Sequence, residues 1–180
     1  MACWTWRRCW TKSFRPDATI DRVNYEFFMR AALAESSAAA ASGELADGAV
    51  AVLDEALVAH GRAQVRATGD PTAHAVICAL REAARRLGRG SLSGLTVFSV
   101  VEPCTMCVGA LLASDADGIV FALGDPTEGA AGSAVQLADG ERLSRRLRVV
   151  SGILQEAAGE VRPDLRDVRG SAARGFARAR

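Results

Sequence analysis

The sequence predicts an α/β domain with three layers, in which helices cover both faces of a partly parallel sheet. Short apolar runs, which are typical of buried strands, alternate along the chain with longer segments of helical periodicity. The chain has 180 residues, of which 49% are hydrophobic and 6% aromatic, as expected for one domain packed mainly with Ala, Val and Leu. We expect that domain to span residues 24–160.

The first half of this domain is predicted to contain two helices separated by a hairpin. Residues 24–41 repeat apolar side chains at helical spacing and are followed by a glycine that ends the helix. The apolar run 49–53 and the segment 56–65 flank a polar two-residue turn, which indicates paired strands. Asp70-Pro71-Thr72 is a helix-start signal, and we expect this second helix to extend to residue 87.

The second half continues the alternation of strands and helices. Residues 95–101 form an apolar run typical of a buried strand, and a helix is predicted from residue 103 to residue 112. Residues 119–123 and 148–150 are the next strand candidates, and residues 152–160 are the last helix candidate. This order of elements is what predicts the layered α/β arrangement.

One histidine and a Cys-x-x-Cys pair suggest a metal site. Zinc favours tetrahedral nitrogen and thiolate ligands, and a catalytic site keeps one position open. Cys104 and Cys107 lie one helical turn apart behind Pro103, which we place at the first helical position, where thiolates are stabilised. We expect His74 in the first turn of its own helix. Zinc is favoured over a redox pair or two buried thiols.

Two further residues have a less specific interpretation. Cys78 lies four residues after His74 and either closes the metal site as a fourth ligand or, as we favour, is a small buried residue of the helix. His60 comes at the end of a strand pattern, and we interpret it as a surface or edge residue.

Around these ligands the chain resembles the bacterial tRNA-specific adenosine deaminases of the cytidine deaminase-like superfamily, whose signature is His-x-Glu followed by Pro-Cys-x-x-Cys. The resemblance covers about residues 24–160. Its most specific parts are three stretches, Asp70-Pro71-Thr72-Ala73-His74-Ala75, Val101-Glu102-Pro103-Cys104-Thr105-Met106-Cys107-Val108-Gly109-Ala110 and Gly129-Ala130-Ala131-Gly132-Ser133.

The resemblance implies a fold, a reaction and a set of partners. The fold would be a three-layer α/β/α domain with a mixed five-stranded sheet, commonly assembled as a homodimer. The reaction would be the zinc-dependent hydrolysis of adenosine to inosine in a tRNA anticodon loop, in which a glutamate moves protons. The metal ligands would be His74, Cys104 and Cys107, and the substrate pocket would include Ala63, Ala75, Val76 and Pro103.

The chain departs from that family pattern at two pocket positions. Val76 occupies the glutamate position and has no titratable group, so we assign no catalytic residue. Ala63 falls where the family has an Asn that hydrogen-bonds the base. We therefore expect little or no activity and a role as a non-catalytic or RNA-binding partner. The non-catalytic subunit of the eukaryotic two-subunit enzyme similarly has Val at this position.

The alternative is an active zinc-dependent deaminase, of tRNA or of a free nucleoside or base, that uses another acid. Glu102 is the first candidate, although we expect it to orient backbone, and Glu82 is predicted to point away from the site. An impaired chain would act as a homodimer or as a heterodimer with an active, Glu-containing paralogue, and tRNA is a further candidate partner.

The net charge of +1 conceals two basic ends. Residues 1–23 are interpreted as an N-terminal extension without ordered structure, and residues 161–180 as an Arg-rich tail. Such ends either contact nucleic acid or are solvated, and we favour the second interpretation. Because the sequence has no transmembrane run and no apolar segment typical of a signal peptide, we expect a cytoplasmic protein without a membrane partner.

Overall fold

The computed structural model describes residues 22–140 and 143–166. Nearly all of the predicted N-terminal extension and the C-terminal part of the predicted tail, residues 167–180, lie outside the described residues. The elements in chain order are α1 (Arg22–Ala41), β1 (Gly48–Leu53), β2 (Ala56–Arg62), α2 (Val65–Thr68), α3 (Ala75–Leu87), β3 (Thr96–Val101), α4 (Thr105–Ala113), β4 (Gly118–Leu123), β5 (Arg148–Ser151), α5 (Gln155–Val161) and a short 3₁₀ turn (Pro163–Leu165).

The five strands form one mixed sheet in the order β2-β1-β3-β4-β5. β1 is antiparallel to both β2 and β3, whereas β3, β4 and β5 run parallel to one another. The predicted hairpin and the predicted partly parallel sheet are therefore confirmed. The parallel strands are joined by α4 and by the long segment after β4, as parallel connections require.

Alternating side chains of the central strands pack against two different helix layers. Val50, Phe98 and Val120 belong to the core under α1 and α5, and Ala51 and Val97 belong to the core under α3 and α4. This period of two is the normal geometry of a strand that is buried on both faces. The three-layer α/β/α class is thereby confirmed.

A glycine in β2 brings that strand close to α3, the helix that begins directly after His74. A Cβ atom at Gly61 would collide with the backbone of Ala75 and Ala79 in α3. Only glycine permits this approach, because any other residue would push the strand away from the helix. Gly61 therefore fixes the end of β2 beside the start of α3.

Several predicted boundaries differ from the structure. The helix expected from residue 70 begins only at Ala75, because the Asp70 carboxylate accepts hydrogen bonds from the amide and hydroxyl of Thr72 and closes a separate turn. The strand expected to reach residue 65 ends at Arg62, and the short α2 follows. The last helix begins at Gln155, three residues later than predicted.

The fold continues into the segment that the sequence assigned to the tail. Arg162 and Leu165 are each only 9% exposed and pack against the body of the domain. Among the described residues, no helix has the length and apolar character needed to cross a membrane.

Candidate metal centre

The structure brings together the three predicted metal ligands. The Nδ1 atom of His74 lies 3.7 Å from the sulfur of Cys104 and 3.8 Å from the sulfur of Cys107. All three donor atoms lie within 4.8 Å of one another. A zinc ion with bonds of about 2.0 Å to nitrogen and 2.3 Å to sulfur requires tetrahedral N···S separations of about 3.6 Å, so the arrangement fits zinc.

Two helix N-termini converge on this cluster. His74 and Cys104 are the residues immediately before α3 and α4, both with extended backbone, and Cys107 is in the first turn of α4. The sequence placed His74 and Pro103 inside their helices, and the structure places each just before its helix. The consequence for charge is unchanged, because the helix N-terminus favours a nearby thiolate.

The two thiols differ in acidity. A hydrogen bond from Cys107 lowers the pKa of Cys104 to about 5, and the nearby backbone amides act in the same direction. The same bond and the burial of its sulfur raise the pKa of Cys107. A bound cation removes this difference, because metal coordination deprotonates both thiols. The chemistry of the donor set is therefore that of a zinc site.

Three other candidates lie outside the cluster. Cys78 lies in α3 and is not among the three grouped ligands, but it is half-buried and not fully buried as expected. Glu82 forms hydrogen bonds with Arg85 and Arg86 on the surface of α3 and points away, as predicted. His60 is on the edge strand β2 and pairs with Glu35 across 3.1 Å, as expected for an edge residue.

Glu102 supports the backbone around the site. It is only 4% exposed. Its carboxylate accepts hydrogen bonds from the amides of Asp125, Ala131 and Ser133, at 3.0, 2.8 and 3.0 Å. A Cβ at Gly129 would collide with this carboxylate, which explains the glycine at the start of the Gly-Ala-Ala-Gly-Ser stretch. That stretch and Glu102 therefore form one structural unit, and the expected backbone role of Glu102 agrees with these contacts.

A cavity of about 290 Å³ opens beside the cluster and is lined by all three ligands. Val76, which is 1% exposed, and Pro103 also line it. Ala63 and Ala75 are buried but are not among the lining residues. Of the four predicted pocket residues, the structure thus brings two to the wall of the cavity, and direct substrate contact by any of the four stays a prediction.

The sequence interpretation missed five charged residues of this cavity, Asp47, Asp125, Glu128, Arg162 and Asp164. Burial raises the pKa of Asp47 to about 6, although the charges of Arg162 and His74 oppose the rise. The Oδ1 atom of Asp47 is buried and accepts no hydrogen bond from the described residues. The side chain of Arg162 is 10% exposed and forms a two-bond pair with Asp164. A single Asp before a strand is normally a turn residue, so only the folded structure reveals that Asp47 lines this cavity.

Comparison with known proteins agrees with the geometry. Residues 22–123 match the family model described as the cytidine and deoxycytidylate deaminase zinc-binding region. The chain belongs to this deaminase family. Within it, the protein is of the tRNA-specific adenosine deaminase type, as its relatives show.

Two curated relatives and one solved structure define that type. The chain is 34% identical over 134 residues to the tRNA-specific adenosine deaminase of Bacillus subtilis. This alignment covers 74% of the present chain and 83% of the relative. The chain is 38% identical over 143 residues to the Haemophilus influenzae enzyme of the same name, covering 77% and 83%. A solved chain from a study of A-to-I editing by tRNA:A34 deaminases aligns with a TM-score of 0.73 and 32% identity, covering 75% of this deaminase-family chain and 98% of that chain.

Proposed function

We propose that this chain is a zinc-binding, tRNA adenosine deaminase-like protein whose hydrolytic activity is impaired because Val76 stands where the family has its acid/base glutamate. The observation that carries the proposal is the position of Val76, which lines the cavity beside His74, Cys104 and Cys107. Zinc held by these three residues would supply activation of a water nucleophile. The valine side chain, however, neither accepts nor donates a proton.

The remaining contacts favour this interpretation over a simple replacement by Glu102. Its two carboxylate oxygens are occupied by three backbone amides of the 125–133 loop. Releasing it for proton transfer would leave those buried donors unpaired, which is costly. Loss of a single general acid/base typically reduces the rate by about 10²–10⁴-fold. We therefore assign the chain a binding or supporting role.

The supporting role that we propose is assembly with itself or with a Glu-containing paralogue, and contact with tRNA. Its relatives in Bacillus subtilis and Haemophilus influenzae are tRNA-specific adenosine deaminases. A chain that keeps the metal ligands but lacks the proton carrier is suited to stabilise an active partner or to hold its RNA. We expect this to take place in the cytoplasm.

A second candidate function is an active hydrolytic deaminase that uses a different acid. Asp47 is the observation that favours it, because this carboxylate lines the same cavity as the metal ligands. If Asp47 carried the proton, wild-type turnover would be measurable and would be lost in Asp47→Asn. This result distinguishes the second candidate from the first.

The test of the proposal is gain of activity at position 76. Zinc-loaded wild type, Val76→Glu and the matched control Val76→Gln would be assayed for inosine formation in tRNA. We expect the double variant Val76→Glu/Ala63→Asn to exceed the wild type measurably, Val76→Glu alone to recover less, and Val76→Gln to stay at the wild-type level. The double variant is included because orientation and proton transfer act together. Wild-type turnover of about 1 s⁻¹ or more would refute the proposal.

A further inference from the structure

The sheet edge formed by β2 is open over part of its length. The amide of Ala63 donates a hydrogen bond to the carbonyl oxygen of Asp47, the residue before β1. Because antiparallel pairing alternates, the odd-numbered residues from Ala59 onward bond to β1, and the backbone groups of His60 and Arg62 point away from the sheet. Within the described part of the chain, their two N–H and two C=O groups have no hydrogen-bond partner.

The edge is closed on either side of this open stretch. Before it, Arg86 donates a hydrogen bond of 3.0 Å to the carbonyl oxygen of Val58. After it, the amide of Gln64 donates one of 3.0 Å to the carbonyl oxygen of Ala73. Edge strands are normally covered or blocked, because unpaired backbone groups can pair with another strand. The open stretch between the two closures is therefore a place where an extended segment can add to the sheet.

A cavity of about 450 Å³, which we call the edge cavity, lies along the open stretch. It is lined by His60, Gly61 and Arg62 of β2 and by several residues of α3. Gly61 faces α3, whereas His60 and Arg62 lie on the opposite face of the sheet and both pair with Glu35 of α1. The edge cavity shares no lining residue with the cavity beside the metal ligands. A segment bound here would leave the metal centre untouched.

The charges of the edge cavity favour an acidic partner. Four arginines and three carboxylates line it, and each carboxylate is already paired with at least one of the arginines. The arginine side chains are between 44% and 72% exposed, whereas the carboxylate side chains are between 20% and 38% exposed. The surface that a partner meets is therefore positive. The arginines are Arg62, Arg81, Arg85 and Arg86, and the carboxylates are Glu35, Asp70 and Glu82.

The alternation of side chains along a strand decides where the acidic groups of the partner would lie. On one face, the added strand would point every second side chain toward α3, beside Gly61, which has no side chain to fill that space. Arg81 and Arg85, one helical turn apart on α3, line the cavity on that side. A second copy of β2 is a poor occupant, because it would bring the arginines of both copies together.

We propose that the open edge of β2 binds an extended peptide segment of a partner protein that has acidic side chains at every second position. The peptide supplies N–H and C=O groups to the backbone of His60 and Arg62, and carboxylates to the arginines of α3. RNA is a weaker match, because its phosphates have no donor for the two open carbonyl groups. The inference goes beyond the proposed function and depends neither on zinc nor on activity.

The experiment measures the binding of labelled peptides to the zinc-loaded full chain by fluorescence anisotropy. The probe is Thr-Glu-Val-Glu-Thr-Glu-Val with blocked ends, and we expect the same peptide with Lys in place of Glu to bind at least about tenfold more weakly. Two N-methylated probes carry the methyl groups either on the Glu amides or on the Thr and Val amides. Only one of these sets faces β2, so one probe should lose at least about tenfold in affinity and the other should not. Equal affinities of the two methylated probes would overturn the proposal.

Variants of the open edge supply the protein side of the test. Arg62→Pro removes an N–H group that takes no part in pairing with β1, whereas Arg62→Ala removes the side chain and keeps that group. We expect Arg62→Pro to bind the probe at least about fivefold more weakly than Arg62→Ala. Equal binding by the two folded variants would contradict edge pairing. If Arg62→Pro does not fold, as judged by its melting curve, the methylated probes decide.

Charge variants test the choice of an acidic partner. Arg85→Glu should weaken binding of the probe at least about fivefold. The matched control Arg30→Glu makes the same change at an exposed residue of α1 outside the edge cavity, and it should leave the affinity unchanged. Unchanged binding by Arg85→Glu, or an equal loss in Arg30→Glu, would overturn the proposal. Tighter binding of a uridine oligonucleotide that displaces the probe would also overturn it, because the face would then be an RNA site.

Discussion

Val76 and Asp47 line the same cavity, and they differ in what they offer a substrate. Val76 is 1% exposed and presents only methyl groups, at the position where we expect the family's proton carrier. Asp47 directly precedes β1 and presents a carboxylate to the same cavity, at a position that neither periodicity nor spacing singled out. The proton carrier that we expect at position 76 is therefore missing, although other carboxylates line the cavity.

Asp47 also makes stability dependent on pH. Its folded-state pKa of about 6 is above the ordinary value of 3.8, so the folded protein binds this proton more tightly than the unfolded chain. The destabilising effect is absent below about pH 4, grows as pH rises to about 6 and is complete at pH 7. At pH 7.5, Asp47→Asn should therefore unfold at a higher urea concentration than the wild type. Its free energy of unfolding should be higher by at most about 3 kcal/mol. At pH 4 the two proteins should be equal.

The comparison is made with both proteins free of zinc, because zinc occupancy itself depends on pH. Asp139→Asn serves as the control, because Asp139 is 54% exposed and paired only with Arg146 at the surface. A difference between Asp47→Asn and the wild type that is the same at both pH values would contradict the raised pKa.

At the scale of elements, the metal centre lies where the N-termini of α3 and α4 meet. His74 precedes α3 and Cys104 precedes α4, so zinc is a direct connection between the two. With free zinc at 100 times its Kd, binding stabilises the fold by about 2.7 kcal/mol. At about 2–4 °C per kcal/mol, a chelator should lower the Tm by roughly 5–10 °C. Cys104→Ala should lower the Tm and abolish the response to chelator.

Cys78→Ala is the matched control for that measurement. Its sulfur is outside the ligand group, so this variant should retain one zinc per chain and the full response to chelator. Loss of zinc in Cys78→Ala, or an unchanged Tm in Cys104→Ala, would contradict the assignment of ligands.

The elements differ in how well the sequence predicts them. Strands β1, β3 and β4 are nearly continuous apolar runs, as is typical of strands that are buried on both faces of a sheet. Their positions could therefore be predicted from the sequence. The predicted start of α3 was wrong because the Asp70 side chain closes a separate turn with Thr72. In the sequence, such a turn closely resembles the start of a helix. Helix α2 has four residues, which is too short for a periodic pattern. The ligands were predictable from residue type and spacing, whereas Asp47 and Arg162 line the same cavity only because β1 and the end of α5 are brought together by the fold.

At the scale of the whole molecule, helix α4 provides a basis for the proposed assembly. It contains no charged residue, and its half-buried positions include Met106, Ala110 and Leu112. A helix that leaves apolar side chains partly exposed favours association. We expect a dimer by light scattering at micromolar concentration, alone or with a Glu-containing paralogue. Ala110→Glu should shift it to monomer, whereas Ala40→Glu, at an exposed position of α1, should not. A monomer under both conditions would refute the assembly.

The Arg-rich C-terminal end is a separate feature of the whole molecule, and the structure determines where it can be cut. Arg162 and Leu165 are buried, so a deletion that begins at residue 161 would damage the domain. Residues 167–180 can be removed instead, and they contain four arginines, at 169, 174, 178 and 180. If these contact tRNA phosphates, deletion should weaken binding and reduce the slope of log affinity against log salt by about 0.7–0.9 for each lost contact. Zinc content should not change.

Replacing the same four arginines by lysine separates charge from other effects of the segment. The lysine variant keeps the number of positive charges, so we expect it to keep the salt slope of the full chain, because counterion release depends on neutralised phosphates and not on the identity of the cation. An affinity and a slope that are unaltered by deletion would show that these residues are solvated and do not contact tRNA. A slope lost in the lysine variant as well would indicate that the guanidinium groups bind RNA through paired hydrogen bonds or stacking, which lysine cannot reproduce.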